Sequence, residues 1–356
     1  MNNSPRERLE KLLKAARMLA DPAHPLGQRA RTQLPRQTGL SAQGVEQAFT
    51  RCLETQPSEA EIARLLAAAH ETPRSFVLLS ANVFTAAHRA IALGLAASPQ
   101  VFVRASRREP CFPGLLAEAA PGLFTLVDEI NAQAGDTVWA YGSDATMVEL
   151  RRSFAPGTIL KAHGDGFGVV VVRQSDLAHA AQAEWGAFAD AVALDAALFD
   201  QRGCLSPRLV LAEGDAAFAQ RLSQEVFNAL TRVQTTIPRG TLSNEEQADI
   251  SWYRQCVCCV GNWKEHPAGA VALVNDAMDP VPPPGRILQV CALSDVQQAL
   301  QQMAPLLTCV AHRKNSESSA GSFIANLHRC APHARHCVVG HMQQPPFDGP
   351  ADLRPT

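Results

Sequence analysis

One cysteine stands where its neighbours could let it do chemistry. In Asp200-Gln201-Arg202-Gly203-Cys204-Leu205-Ser206-Pro207, Cys204 follows a glycine and lies between a long helical segment and a strand-like run. A substrate carbonyl can approach a thiol so placed. A nearby cation or helix terminus would lower its pKa and supply thiolate. The plainer alternative is a buried structural thiol, the usual role of a cysteine. Two other clusters offer less. Cys256, Cys258 and Cys259 share a helical stretch with Trp252 and Tyr253, but their C-x-C-C spacing has no second half. His328, Cys330, His333, His336, Cys337 and His341 straddle a loop and a short strand. Their spacing does not match four ligands converging on a tetrahedral zinc, so they read as loop histidines and a buried cysteine. No metal is expected.

Other chemistries are excluded by what the sequence lacks. It has no G-x-x-x-x-G-K-[ST] loop, no H-E-x-x-H and no G-x-S-x-G. The nearest glycine run, Gly164-Asp165-Gly166-Phe167-Gly168, leads into a strand and not a helix. Its glycines therefore serve close backbone approach or a tight turn.

These residues must be positioned by an α/β framework. The first 72 residues read as a helical arm: Ser4-Pro5-Arg6-Glu7 and Ser58 with Glu61 are capping boxes, and Asp21–Gly39 between them is a loop rich in Pro and Gly. From residue 73, short apolar runs at Phe76–Ser80, Gln100–Arg104, Leu123–Val127, Thr137–Tyr141, Thr158–Lys161 and Val169–Val172 alternate with helical segments. Such alternation predicts a parallel sheet covered on both faces. A long helix is expected over Ser175–Leu198. A second alternation follows: strands at Leu209–Ala212, Ala270–Val274, Ile287–Cys291, Leu307–Val310 and Val338–Val339, with helices at Asp215–Thr231, Ser294–Met303 (capped by Ser294) and Ser322–Leu327. A Pro-rich loop runs over Asp279–Gly285. The fold class is thus α/β with two lobes, 73–198 and 199–339. The tail, 340–356, is expected to return to the first lobe or to a neighbouring subunit.

Composition narrows the partners. The chain has 356 residues, 32 Lys+Arg against 34 Asp+Glu for a net charge of −2, and 46% apolar residues. That is a globular balance without the basic excess of a nucleic-acid binder. No apolar run reaches the roughly 18–20 residues of a membrane span. Met1–Arg8 has no apolar segment behind it, so no export signal is expected. The ten cysteines are then reduced thiols in a cytoplasmic protein.

Five segments, taken in order, resemble the LuxC-type acyl-CoA reductases of the aldehyde dehydrogenase superfamily. They are Ser80-Ala81-Asn82-Val83-Phe84, Val103–Pro110 with Arg104, Ser106, Arg107 and Arg108, Tyr141-Gly142-Ser143-Asp144-Ala145-Thr146, the FDQRGCLSP motif from Phe199 to Pro207, and Gly340–Pro350. The resemblance spans roughly 75–350 and implies an aldehyde-dehydrogenase-like fold with a Rossmann-like cofactor lobe. It implies that Cys204 attacks an acyl thioester, of CoA or of a carrier protein, and that the acyl-enzyme is reduced to an aldehyde. Asn82 and the Cys204 N–H would bind the oxyanion, although Asn82 could instead cap the following helix. Gly142 and Ser143 would let a helix terminus approach the cofactor pyrophosphate. Homo-oligomers, with or without an acyl-supplying partner, are implied as well.

Charge speaks for NADPH. An acidic residue at the end of the second strand usually binds the ribose 2′-OH. Here Arg104 and Ser106 stand there, suited to a 2′-phosphate, unless they form only a solvated basic loop. The family's hydrolytic members carry a water-activating Glu in a segment that here reads Lys161-Ala162-His163-Gly164-Asp165-Gly166. Its absence suits reduction over hydrolysis and makes His163 a candidate proton carrier, against a plain loop histidine. Two rivals remain: acyl transfer or thioester hydrolysis through the same cysteine without hydride, and a non-catalytic partner subunit.

Overall fold

The computed structural model describes residues 3–275, 280–314 and 319–356. Helices α1 (Pro5–Ala20), α2 (Pro25–Thr38), α3 (Ala42–Arg51) and α4 (Glu59–Ala68) precede β1 (Ser75–Leu78), α5 (Ala86–Ala97), β2 (Val101–Arg104), α6 (Cys111–Ala119), β3 (Thr125–Leu126), β4 (Thr137–Tyr141), α7 (Asp144–Ser153) and β5 (Ile159–His163). Then come β6 (Phe167–Arg173), α8 (Gln174–Leu177), α9 (Gln182–Ala197), β7 (Pro207–Glu213), α10 (Ala216–Val233), α11 (Asn244–Val260) and β8 (Asn262–His266). The last elements are β9 (Gly269–Val274), β10 (Ile287–Leu293), α12 (Val296–Met303), β11 (Leu307–His312), α13 (Ser319–Cys330) and β12 (Arg335–Val338). One unit comprises Met1–Asp165, Gln344–Ala351 and Pro355–Thr356; the other comprises Gly166–Gln343 and Asp352–Arg354.

The first unit is built on a parallel sheet of order β3-β2-β1-β4-β5. Every residue of β1 is buried, as its continuous apolar run requires of a strand covered on both faces. Helix α5 is buried from Ala87 to Ala97. Its small residues allow close approach: a Cβ on Gly94 would stand 3.2 Å from the Ser75 Oγ and from Val101. Helices α1 and α4 pack on α5, and α2 packs on α6. Phe49, Phe84 and Phe112 join these layers, with ring centroids 5.3–6.1 Å apart. Both capping boxes are formed. The stretch Asp21–Gly39, expected as loop, instead contains α2. Pro25 opens that helix, the His24 Nδ1 accepts from the Leu26 N–H, and Gly39 at φ 72° closes it. Its Pro and Gly residues act as start and stop signals.

Residues 344–351 are strapped to this unit by Arg89 of α5. The guanidinium donates to the carbonyls of Pro345 (2.7 Å), Pro346 (2.6 Å) and Gly349 (2.8 Å) and pairs with Glu54. The His88 ring stacks on Phe347 at 5.3 Å. Burial pushes the Glu54 carboxyl up, but Arg89 and His88 outweigh it and hold the group at about 2.

The second unit has the sheet order β12-β11-β6-β7-β10-β9-β8, parallel except for the β8–β9 pair. The sequence placed the lobe junction between residues 198 and 199, whereas the units divide after Asp165. The cause is non-local pairing: β6 lies between β7 and β11, and α9 packs on α10 and β7. Asp295, not Ser294, caps α12, its Oδ1 accepting from the N–H groups of Gln297 (2.9 Å) and Gln298 (3.1 Å). Asp279, named as the start of the Pro-rich loop, lies outside the described residues. No described helix is long and apolar enough to cross a membrane.

Arg89→Met should destabilise the protein by about 3 kcal/mol in urea unfolding, because it leaves Glu54 buried without its partner, and should speed proteolysis within 344–351. Since Glu54 is held below its unfolded value, this stabilisation is present above about pH 4–5 and is lost as pH falls toward 2. A loss under about 1 kcal/mol at neutral pH would contradict this account.

Candidate active site

Phe199, Asp200 and Gln201 have φ values of 55°, 50° and 65°. Left-handed backbone costs a non-glycine residue about 1 kcal/mol or more, so three in succession need strong partners. The buried Asp200 carboxylate accepts from Arg286 Nε at 2.8 Å and Nη2 at 2.7 Å, and from the Gly240 N–H at 3.0 Å. Arg286 is itself left-handed, φ 64°, and also donates to the carbonyls of Ile237 (2.8 Å) and Pro238 (3.2 Å). Burial lowers its pKa from the ordinary arginine value and Asp200 opposes that. The Gln201 amide donates to the carbonyls of Pro207 (2.6 Å) and Ile287 (2.7 Å) and accepts from the Ile287 N–H (2.7 Å). Arg202 Nε donates to Glu246 at 2.6 Å, and Nη2 donates to the Thr241 carbonyl at 3.0 Å. The three residues before Gly203 are therefore clamps that present Cys204.

Cys204 occupies a turn at the amino-terminal edge of the second sheet, where the Ser206 N–H donates to the Gly203 carbonyl at 3.0 Å. Thr308 Oγ1 donates to the Cys204 carbonyl at 2.5 Å, and Gln343 Nε2 donates to Ser206 Oγ at 2.9 Å. The glycine run allows this packing. A Cβ on Gly168 would stand 2.5 Å from the Leu205 carbonyl oxygen and from Met342, and one on Gly166 would stand 2.6 Å from Thr308 and 2.7 Å from Arg354. Cys204 is partly exposed. Burial first, then the Asp352 carboxylate, push its thiol up to about 12; Arg354 and the N–H groups of Cys204 and Leu205 work the other way. The resting thiol is protonated at neutral pH.

The first unit carries the remaining site residues named from sequence. All lie at or just after the carboxyl ends of parallel strands, on the side of the sheet where strand order reverses between β1 and β4, the usual ligand position of such sheets. Asn82 is exposed in the bend after β1, and its Oδ1 accepts from Arg108 at 3.4 Å. It does not cap α5, whose N-cap is Thr85. Arg104, half-buried at the end of β2, makes no side-chain hydrogen bond or ion pair among the described residues. Ser106 Oγ accepts from the Arg108 N–H at 3.3 Å. Nearby Glu109 is buried; burial pushes its carboxyl up to about 7 although the Phe112 N–H donates to it at 2.7 Å.

His163 is buried at the end of β5, its ring stacked with Tyr141 (4.9 Å) and Trp139 (6.1 Å). Its carbonyl accepts from the Gly142 N–H at 3.2 Å. Ser143 caps α7 through the Thr146 N–H at 3.3 Å. The Asp165 carboxylate accepts from the Asp144 N–H (3.1 Å), and the Asp144 carboxylate from the Asp165 N–H (2.9 Å). A pyrophosphate at this helix end would meet two carboxylates and N–H groups already in use. Gly142 and Ser143 can offer backbone and hydroxyl contacts there, not the vacant anion site expected of a helix terminus.

Sequence reasoning missed Thr308 and Gln343, which reach the Cys204 turn from remote segments, and Asp352 and Arg354, whose charges act on its thiol; none carries a local signal. Among the described residues no group of three or more His, Cys, Asp or Glu could hold a metal ion. The His328 and His336 rings stack at 3.7 Å, and burial lowers the His336 ring to about 4.

Residues 66–344 match the family model described as acyl-CoA reductase (LuxC). No curated protein matches the chain. Among solved structures, the chain is similar to methylmalonate-semialdehyde dehydrogenase from Oceanimonas doudoroffii (14% identity, TM-score 0.71, 97% of this chain and 79% of that one). It is also similar to a putative methylmalonate-semialdehyde dehydrogenase from Sinorhizobium meliloti complexed with NAD (14%, 0.68, 98% and 78%). A third is NADP-dependent glyceraldehyde-3-phosphate dehydrogenase from Bacillus halodurans complexed with NADP (11%, 0.66, 94% and 78%). At these identities the likeness shows the fold, that of the aldehyde dehydrogenases.

Asp200→Asn keeps the shape of the clamp but strips the buried Arg286 of its counter-charge. It should cost about 3–5 kcal/mol in equilibrium denaturation. A change below about 1 kcal/mol would mean that the pair does not hold the turn.

Proposed function

Since the chain belongs to the acyl-CoA reductase (LuxC) family, and so to the aldehyde-related oxidoreductases, we propose that it reduces an acyl thioester of CoA or a carrier protein to an aldehyde, using NADPH. The observation that carries this reading is the effort spent on presenting Cys204: three strained residues, two glycines and the remote side chains of Arg286, Thr308 and Gln343 hold one turn. Strain of that kind gathers at functional sites. Cys204 Sγ attacks the thioester carbonyl, the C–S bond to the carrier breaks, and the departing thiolate takes up the proton that Cys204 gives up. The Cys204 N–H donates to the oxyanion; the family resemblance assigns Asn82 to the oxyanion and His163 to proton handling. A bound nicotinamide cofactor supplies the hydride that turns the acyl-enzyme into aldehyde.

The cofactor fits the residues at one end better than at the other. Arg104 has no carboxylate partner among the described residues and, with Ser106, would take the 2′-phosphate, while the neighbouring Glu109 is buried and turned to backbone. The carboxylates of Asp144 and Asp165 at the start of α7 oppose a pyrophosphate. That observation favours a second reading, acyl transfer or thioester hydrolysis by Cys204 without hydride.

NADPH oxidation with acyl-CoAs from short to long, and intact masses after acyl-CoA alone, should separate the two. Reduction requires turnover and an acyl adduct on the wild type, with neither on Cys204→Ala. An adduct without NADPH oxidation would establish the second reading. Arg104→Ala should raise the KM for NADPH about tenfold while leaving that for NADH nearly unchanged; an equal effect on both would remove Arg104 from 2′-phosphate recognition.

A further inference from the structure

We propose that Asp352 and Arg354 form a positioning pair for Cys204, in which Asp352 fixes Arg354 beside Thr308, the residue that holds the cysteine turn, and the two charges together set the reactivity of the thiol. The proposal rests on the reading of Cys204 as nucleophile. Its basis is geometric. Arg354 Nε lies 3.0 and 3.2 Å from the two Asp352 oxygens, Nη2 lies 2.8 Å from Oδ2, and the Arg354 N–H donates to Oδ1 at 3.0 Å. The side chains are only 13% and 5% exposed, so this pair is shielded from solvent screening. Arg354 Nη1 donates to the Pro305 carbonyl at 3.2 Å, tying the guanidinium to the segment that leads into β11.

Gly166 joins this pair to the cysteine. The point a Cβ would occupy there is 2.7 Å from Arg354 Nη2 and 2.6 Å from Thr308 Cγ2. Thr308 is the residue whose hydroxyl holds the Cys204 carbonyl. The absence of a side chain at Gly166 thus lets Arg354 lie beside the residue that anchors the cysteine turn. Among the described residues, Asp352 and Arg354 from this segment act on the thiol, as does Cys309 from β11, which lies 3.7 Å from Cys337 of β12. Arg354 is a cation and favours the thiolate; Asp352 disfavours it. A neutral thiol at Cys309 adds no charge.

The test is the pH profile of Cys204 alkylation by iodoacetamide in the full chain, read by peptide mass. Asp352→Asn should move the profile to lower pH and speed alkylation at neutral pH. Arg354→Gln should move it to higher pH and slow alkylation, and Arg354→Lys should restore most of the lost rate. A one-unit displacement corresponds to about tenfold in thiolate at pH values below the transition. Unchanged profiles in both neutralised variants would overturn the proposal. So would faster alkylation in both, the mark of a loosened turn that exposes the thiol. If Arg354→Gln fails to fold, the near-isosteric Asp352→Asn decides alone, and a profile that does not move to lower pH overturns the idea. Alkylation reads the thiol whether or not the chain reduces a thioester. Displaced profiles without reductase activity would therefore sink the proposed function and leave this pair standing.

Discussion

The carboxylate of Asp200 meets the guanidinium of Arg286 in a fully buried pair, and both residues have left-handed backbone. A buried ion pair about breaks even against its desolvation, so net stabilisation is a poor account of it. Its effect is on conformation. Either backbone could relax only by pulling one charge away from the other inside the protein, which costs more than the strain released. Arg286 leads into β10, and Cys204 precedes β7, which pairs with β10 in register. The pair, with the Gln201 amide bridging Pro207 and Ile287, thus locks the approach to the cysteine onto the edge of a rigid sheet. Relaxing the turn would require breaking the sheet edge as well.

A turn fixed from behind must also be supported from below, and here the sheet contributes through what it lacks. Gly168 lets the Leu205 carbonyl reach the backbone of β6, and Gly166 leaves room for Thr308 and Arg354. The support is discontinuous in sequence. Thr308 is the second residue of β11, Gln343 follows β12, and Arg354 lies near the end of the sequence. For Thr308 a parallel sheet makes this possible, since its strand starts gather along one side however far apart they lie along the chain.

That arrangement explains what could be read in advance. Thr137–Tyr141 was legible to the residue because an apolar β-rich run bounded by Gly135 and Gly142 fits little else. The two capping boxes were legible because each is a local exchange of hydrogen bonds over three residues. Cys204 was legible because its motif is contiguous. The duties of its neighbours were not: Asp200 and Gln201 find their partners 86 residues away, and Arg202 finds Glu246 44 residues away. No periodicity encodes such distances. Helix α2 was lost because Pro and Gly punctuate helices as well as loops. The unit boundary was lost because the long helix α9 looked like a divider, while the pairing of β6 with β7 and β11 is invisible along the chain.

A thiol pushed up to about 12 looks ill suited to nucleophilic attack, since the thiolate is the reactive form. The chemistry of the proposed first step softens the conflict. Exchange of a thioester between two thiols consumes no proton overall: the attacking sulfur must lose one and the departing sulfur must gain one. A proton kept on Cys204 until the acyl group arrives is the proton the leaving group needs. Hydrolysis differs, because water must be deprotonated by a base that remains in place. A protonated resting cysteine also resists oxidation and stray alkylation, which act on the thiolate. What the site then requires is a means of stabilising the thiolate only as it forms, through a charge held close but balanced at rest. A cation held by a carboxylate is suited to that requirement: the pull of Arg354 on a thiolate is opposed by the Asp352 charge that fixes it.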